Sequence, residues 1–157
     1  MHWPTGKNRT RTGMLLALLL VVSVASGKKK TETPPFQYAG GTEQIQQDCG
    51  GKLEVSTDAL TFKCPSTSLE IPFADITTME YRPDLSRAVR RLKLQWKVQP
   101  HRGGGKKNRY FTILYKEQGQ PRAVVLRVEP LVMRPYLAEI ELKSGKRVEV
   151  FGYEQYE

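Results

Sequence analysis

Residues Gly51 to Arg82 read GKLEVSTDALTFKCPSTSLEIPFADITTMEYR and give the strongest indication of the fold class. Apolar and polar residues alternate through 51–56 and again through 59–64, with Thr57-Asp58 between the two runs. Alternation of this kind predicts half-buried strands, and two such runs joined by a two-residue turn predict a β-hairpin. The chain therefore begins its folded part as a β protein.

Further runs of the same kind follow the hairpin. The clearest lies at 92–98, where every second residue is apolar and the others are polar. With the hairpin included, seven strands are predicted, at 51–56, 59–64, 69–71, 76–82, 92–98, 110–116 and 123–128. The apolar positions expected inside are Leu53, Val55, Leu60, Phe62, Ile71, Phe73, Tyr81, Leu92, Leu94, Trp96, Phe111, Ile113, Val124, Leu126 and Ile140.

The segment at 137–150, LAEIELKSGKRVEV, fits two patterns. As a hairpin, residues 138–143 alternate and the chain turns back at Ser144-Gly145. As a helix over 134–144, Pro135 takes the first turn and the following glycine ends the helix. Periodicity leaves both interpretations open.

The chain resembles bacterial pleckstrin-homology-like (PH-like/GRAM-type) domains. The resemblance rests on the order of the strands, the segment IPFADI at 71–76, a basic loop after the fifth strand and the 137–150 segment. The resemblance covers residues 49–150. It implies a mainly β fold, a seven-stranded barrel or orthogonal sandwich closed at one corner by a C-terminal helix over 134–144. The alternation at 138–150 departs from that pattern, so an all-β barrel with a C-terminal hairpin is the alternative.

The first 27 residues predict a secretory signal peptide. Residues 1–13 carry three basic residues and no acid, and the apolar run MLLALLLVVSVA follows at 14–25. Twelve helical residues span about 18 Å, less than the ~30 Å hydrocarbon core of a bilayer. Three lysines at 28–30 oppose translocation, so a membrane anchor formed by residues 14–25 is the alternative. We expect an exported protein, periplasmic, envelope-associated or secreted.

Residues 28–48 predict a flexible linker, because they contain Pro34-Pro35 and Gly40-Gly41 and few apolar residues. The β domain is then expected to occupy residues 49–157.

Cys49 and Cys64 are the only cysteines, and a pair of cysteines in an exported chain predicts a disulfide. If Thr57-Asp58 is the turn, Val55 faces Leu60 and Leu53 faces Phe62. The two cysteines then point inward on neighbouring strands, two residues from direct opposition, and a small bulge at 50–51 would bring them into range. Two free buried thiols are the alternative, for a chain kept in the cytosol.

One segment has a net charge equal to the formal charge of +9 of the whole chain. Without the predicted leader, 22 basic and 16 acidic residues remain, for a net charge of +6, while residues 82–109 hold ten basic residues and one acid. Such a segment can attract an anionic surface or an acidic partner. The candidate anion- or partner-binding residues are Lys93, Lys97, Arg102, Lys106, Lys107 and Arg109.

Three interpretations of this segment compete. The simplest is a solvated charged surface with no ligand. Eukaryotic PH-like domains often bind phosphoinositides through basic loops between their first two strands, but the turn at 56–59 has no basic residue, so that site does not carry over. Nucleic-acid binding is not expected, because strand parity would point Trp96 inward and because export separates the chain from nucleic acids.

The sequence offers little for catalysis. Beyond the leader His101 is the single histidine, and neither a G-x-S-x-G elbow nor a P-loop is present. Glu139 and Glu141 would share a face only on a strand. We therefore expect a non-enzymatic protein without cofactor or metal, a binding or scaffold module with an envelope or secreted protein as its partner. The alternative is a peripheral binder of anionic lipid head groups through residues 87–109.

Overall fold

The computed structural model describes residues 33–95, 98 and 109–152. This part of the chain is mainly β. The strands are β1 (Phe36–Gly41), β2 (Gly50–Val55), β3 (Ala59–Cys64), β4 (Thr67–Pro72), β5 (Ile76–Arg82), β6 (Arg109–Glu117), β7 (Gln120–Val128) and β8 (Glu149–Val150). The helices are α1 (Arg87–Arg90), between β5 and β6, and α2 (Pro130–Ser144), between β7 and β8.

All eight strands belong to one sheet in the order β4-β3-β2-β1-β7-β6-β5-β8. Each neighbouring pair is antiparallel except β5 with β8, which is parallel. Among the described residues the sheet stays open, with β4 and β8 at its edges, and does not close into a barrel. The β2–β3 hairpin has the predicted register, since Val55 pairs with Leu60 and Leu53 with Phe62.

The C-terminal helix is confirmed, and the hairpin alternative for this segment is wrong. Helix α2 begins at Pro130, four residues before the predicted start. Proline suits the first turn of a helix because that position has no intrahelical amide bond to lose. Pro135 lies inside the helix on its exposed side, and Gly145 ends the helix with a left-handed φ of 66°.

Six of the seven predicted strands are present, but the prediction of a flexible linker over 28–48 is wrong for residues 36–41. These form β1, which pairs with both β2 and β7, and its Phe36 and Tyr38 are fully buried. Gly41, one of the two glycines that suggested a linker, serves a close approach between strands instead. At Gly41, φ is 153° and a Cβ atom would collide with the carbonyl of Ala123.

The seventh predicted strand, at 92–98, is wrong for its described residues. Residues 92–95 form no strand, and Leu92 and Leu94 are only partly buried. Alternation of apolar residues indicates which side chains are buried. An extended segment that packs across the face of a sheet without joining it has the same alternation as a strand. Trp96 lies outside the described residues.

The main core lies between one face of the sheet, the β3–β5 loops and α2. Twelve of the predicted core residues are buried there, namely Leu53, Val55, Leu60, Phe62, Ile71, Phe73, Tyr81, Phe111, Ile113, Val124, Leu126 and Ile140. Helix α2 docks through Met133 and Ile140, both fully buried, and through Tyr136, whose ring meets Phe36 edge-on at 4.9 Å. The Nζ of Lys143 also donates a 2.6 Å hydrogen bond to the carbonyl of Val55.

The predicted disulfide between Cys49 and Cys64 is confirmed, with the Cα atoms 6.1 Å apart. The recorded β2–β3 pairing ends at Lys52 and Lys63 and shows no register shift. Gly51 makes the approach possible, because a Cβ atom there would collide with the carbonyl of Lys63. The disulfide therefore ties the loop before β2 to the end of β3.

Candidate functional site

A second, smaller apolar cluster lies on the opposite face of the sheet. Strand alternation assigns the faces: Phe111 and Leu126 point into the main core, whereas Tyr110 and Val125 point into the second cluster. Val89 of α1 is fully buried in this cluster. The segment after β5 therefore covers part of the outer face of the sheet.

This segment has a capped helix near its start and a hydrogen bond to β1 near its end. Ser86 caps α1, because its side-chain oxygen accepts from the backbone N–H of Val89 at 3.3 Å. Beyond the helix, the backbone N–H of Gln95 donates to the carbonyl of Gly41 at 2.8 Å. The Gln95–Gly41 bond joins the segment to β1, close to the partly buried Leu92 and Leu94.

A groove of about 690 Å³ opens between the segment and the sheet. Its volume lies within the range of about 300–1,000 Å³ that is usual for small-molecule sites. Most of its lining is apolar. The lining residues are Pro83, Asp84, Leu85, Arg90, Leu92, Lys93, Leu94, Val98 and Tyr110.

Two cations and one acid lie among these apolar residues. Arg90 and Lys93 are exposed, and a guanidinium nitrogen of Arg90 lies 4.0 Å from the carboxylate of Asp84. That carboxylate also accepts a 3.1 Å hydrogen bond from Arg82. Because Asp84 is already shared with Arg82 and is more than half exposed, it neutralises little of the charge that Arg90 presents.

The structure places two of the six predicted binding residues. Lys93 lines the groove. Arg109 is only 2% exposed, because its guanidinium donates to the carbonyl of Gly152 at 3.0 Å and lies 5.6 Å from the centre of the Tyr81 ring. Arg109 is therefore separated from the exposed cations. The other four residues, Lys97, Arg102, Lys106 and Lys107, lie outside the described residues.

The sequence pattern does not identify Arg90, Leu85 and Tyr110 as parts of one site. The relevant signal is the apolar alternation beginning at Leu92, but such alternation predicts a strand. Leu92 and Leu94 line a groove because their segment packs against Tyr110, which lies more than ten residues further along the chain.

The acidic residues considered for metal binding and catalysis do not form a cluster in the part of the chain that the structure describes. No three His, Cys, Asp or Glu side chains lie close enough there to hold a metal ion. Glu139 and Glu141 are on helix α2, and residues two positions apart on a helix face different sides. Oε1 of Glu139 lies 2.6 Å from Nζ of Lys143, with which it forms an ion pair. His101 lies outside the described residues.

None of the helices that the structure describes has the length and apolar character needed to span a membrane. The predicted leader at 1–27 lies outside the described residues. Comparison with protein-family models and with curated proteins found no match to this chain.

Proposed function

We propose that this protein is a non-catalytic binding module that holds an anionic amphiphile, a molecule with one alkyl chain and a negatively charged head group. The observation that carries the proposal is the groove, with an apolar lining and with Arg90 and Lys93 at its exposed positions. An alkyl chain would lie against the leucines while the head group would meet the two cations.

The groove suits an alkyl chain better than a peptide. The sheet contributes Tyr110 of β6 to its lining, and the backbone groups of β6 are already paired with β5 and β7. A peptide bound there would bury amide groups with few partners, which costs about 1–3 kcal/mol for each unpaired group. An alkyl chain has no such groups, and its burial is favourable by about 0.8 kcal/mol per methylene. The groove thus favours the amphiphile over the envelope protein partner suggested by sequence.

The strand order supports a PH-like domain as the scaffold. Strands β1 to β7 follow the order β4-β3-β2-β1-β7-β6-β5, and helix α2 comes directly after β7 and covers the core. In this assignment the loop between the first two strands is 42–49, TEQIQQDC, which carries two acids and no base. The phosphoinositide loop of eukaryotic PH-like domains therefore still has no equivalent, and the groove lies elsewhere.

The disulfide supports an exported location. Disulfides persist in oxidising compartments and are rare in the cytosol. An exported protein also meets the lipids and fatty acids of an envelope, which are the main natural sources of anionic amphiphiles.

The experiment that tests the proposal is titration of the purified protein with dodecanoate, dodecyl phosphate and dodecyltrimethylammonium by isothermal calorimetry, below their micelle concentrations. The two anions should bind and the cation should not. Shortening the chain from twelve to ten and eight carbons should weaken binding by about three- to fourfold per methylene. Vesicles of anionic lipid, tested in parallel, distinguish a membrane-embedded amphiphile from a free one.

Matched charge reversals locate the site. Arg90→Glu with Lys93→Glu alters two groove residues, whereas Arg87→Glu with Arg91→Glu alters two exposed residues of the same segment outside the groove lining. The first pair should weaken dodecanoate binding at least about tenfold and the second much less, given about 1 kcal/mol per basic residue near an anion. Equal losses, or binding of none of the amphiphiles, would overturn the proposal and return the function to a protein partner.

A further inference from the structure

Helix α2 carries an apolar stripe on the side that faces away from the core. The stripe consists of Leu131, Pro135, Ala138 and Leu142, all of them exposed. Their spacings of four, three and four residues place them on one side of a helix with 3.6 residues per turn. The two leucines at its ends are 81% and 85% exposed.

This exposure is unusual for a helix that already buries another face. Met133 and Ile140 on the inner side are fully buried. One apolar face is enough to dock a surface helix, and the outer face is ordinarily polar. A contiguous exposed apolar row on a small protein therefore marks a contact surface.

Charged side chains flank the stripe asymmetrically. Arg134 and Glu141 are exposed and seven residues apart, so they lie on the same flank, one near each end of the helix. When a second copy of the helix runs antiparallel to the first, its negative end lies beside the positive end of the first copy, and its positive end beside the negative end. This self-complementarity points to a second copy of the same helix.

We propose that α2 forms a symmetric, antiparallel dimer contact between two copies of this chain. With the two-fold axis between Tyr136 and Leu137, Leu131 lies opposite the partner's Leu142 and Pro135 lies opposite the partner's Ala138. At a rise of 1.5 Å per residue, Arg134 and the partner's Glu141 are offset along the axis by two residues, or about 3 Å. An ion pair is within reach on each side of the axis.

Four side chains per copy form a small surface. A standard stable interface buries about 1,600 Å² in total, and one fifteen-residue helix, about 22 Å long, covers less than that. The dimer is therefore weak and depends on concentration. The inference is independent of the groove, which is lined by residues from other elements.

The test uses two differently tagged full-length copies and measures their co-purification when they are coexpressed. Arg134→Glu places an acidic residue at both 134 and 141, and Glu141→Arg places a basic residue at both. Each single variant should associate with itself at least about fivefold less than the wild type, since two attractive pairs become repulsive. The two single variants coexpressed should associate with each other at the wild-type level, and so should copies carrying both changes.

Association through any other part of the chain, including the apolar run at 14–25, would be indifferent to these combinations, and that result would overturn the proposal. A second measurement does not depend on charge. A photo-crosslinking amino acid at Ala138 should yield a covalent dimer joined to a peptide within 131–142 of the second copy. The same amino acid at exposed Glu70 on β4 should not. Crosslinks at 138 that map elsewhere, or only to other proteins, would contradict the dimer.

Discussion

The hydroxyl of Tyr115 on β6 donates a 2.6 Å hydrogen bond to Oε1 of Glu43, in the loop between β1 and β2. The hydroxyl of Tyr38 donates to the backbone carbonyl of the same residue at 3.1 Å. Two tyrosines from different strands thus hold one loop residue. Burial, followed by the nearby Glu43 carboxylate, raises the pKa of both phenols well above the ordinary value of about 10.

These shifts predict loss of stability in alkali. Below about pH 10 the two phenols are protonated in the folded and the unfolded chain alike, so their contribution is fully present. Above that pH the unfolded chain loses their protons while the folded chain keeps them, and the free energy of unfolding falls by up to about 1.4 kcal/mol per pH unit for each tyrosine. Urea denaturation at pH 8 to 12 measures this slope.

The variant Tyr38→Phe/Tyr115→Phe isolates the effect from lysines that titrate in the same range. It should be less stable than the wild type at pH 7, because Glu43 loses two hydrogen bonds, one to its carboxylate and one to its backbone carbonyl, each worth about 0.5–3 kcal/mol. Its stability should then decline less steeply above pH 10. Parallel declines in the two proteins would show that these phenols do not govern the alkaline transition.

Removal of the disulfide should lower stability without abolishing the fold. The pair Cys49→Ser/Cys64→Ser opens a loop of 15 residues, a loss of about 3 kcal/mol in the chain-entropy model. The variant should keep its β circular dichroism and show a lower urea midpoint. Mass spectrometry of the wild type without reductant should find no free thiol, and two free thiols would exclude the bond.

Gly41→Ala should destabilise β1 more than Gly119→Ala destabilises the β6–β7 turn. Both glycines have positive φ, 153° and 78°, so both substitutions strain the backbone. A methyl group at Gly41 would also collide with the Ala123 carbonyl, whereas nothing lies within 4 Å of that position at Gly119. Thermal denaturation of the two variants compares these costs, and equal midpoints would contradict the close approach of β1 and β7.

Arg109→Met should affect folding rather than binding. The substitution keeps an unbranched, largely apolar side chain but removes the guanidinium, and with it the donor to the Gly152 carbonyl, at a position only 2% exposed, at a cost of about 1–3 kcal/mol. Arg91→Met, at an exposed position, should change stability by less than about 0.5 kcal/mol. If Arg109→Met instead weakened dodecanoate binding with stability unchanged, Arg109 would belong to the anion site.

Local sequence patterns predict the structure correctly where residues that are close along the chain are also close in the fold. The β2–β3 hairpin, its register and the cysteine pair all follow from alternation around one turn, because partners there are at most 15 residues apart. Helix α2 was open to two interpretations, since its exposed stripe and its buried face together imitate strand alternation. Burial of Met133 and Ile140 on one side resolves that ambiguity.

Local sequence patterns are enough to predict a mainly β chain, the β2–β3 hairpin and the concentration of basic residues after β5. The assignment of residues 36–41 to a strand, and of the leucines after Ser86 to the cover of a sheet face, depends on contacts that form only in the folded chain. In both cases the deciding contacts come from distant segments, β7 for β1 and Tyr110 for the groove. Hydrophobic periodicity records that a side chain is buried, but the partner that buries it is set by packing across the whole sheet.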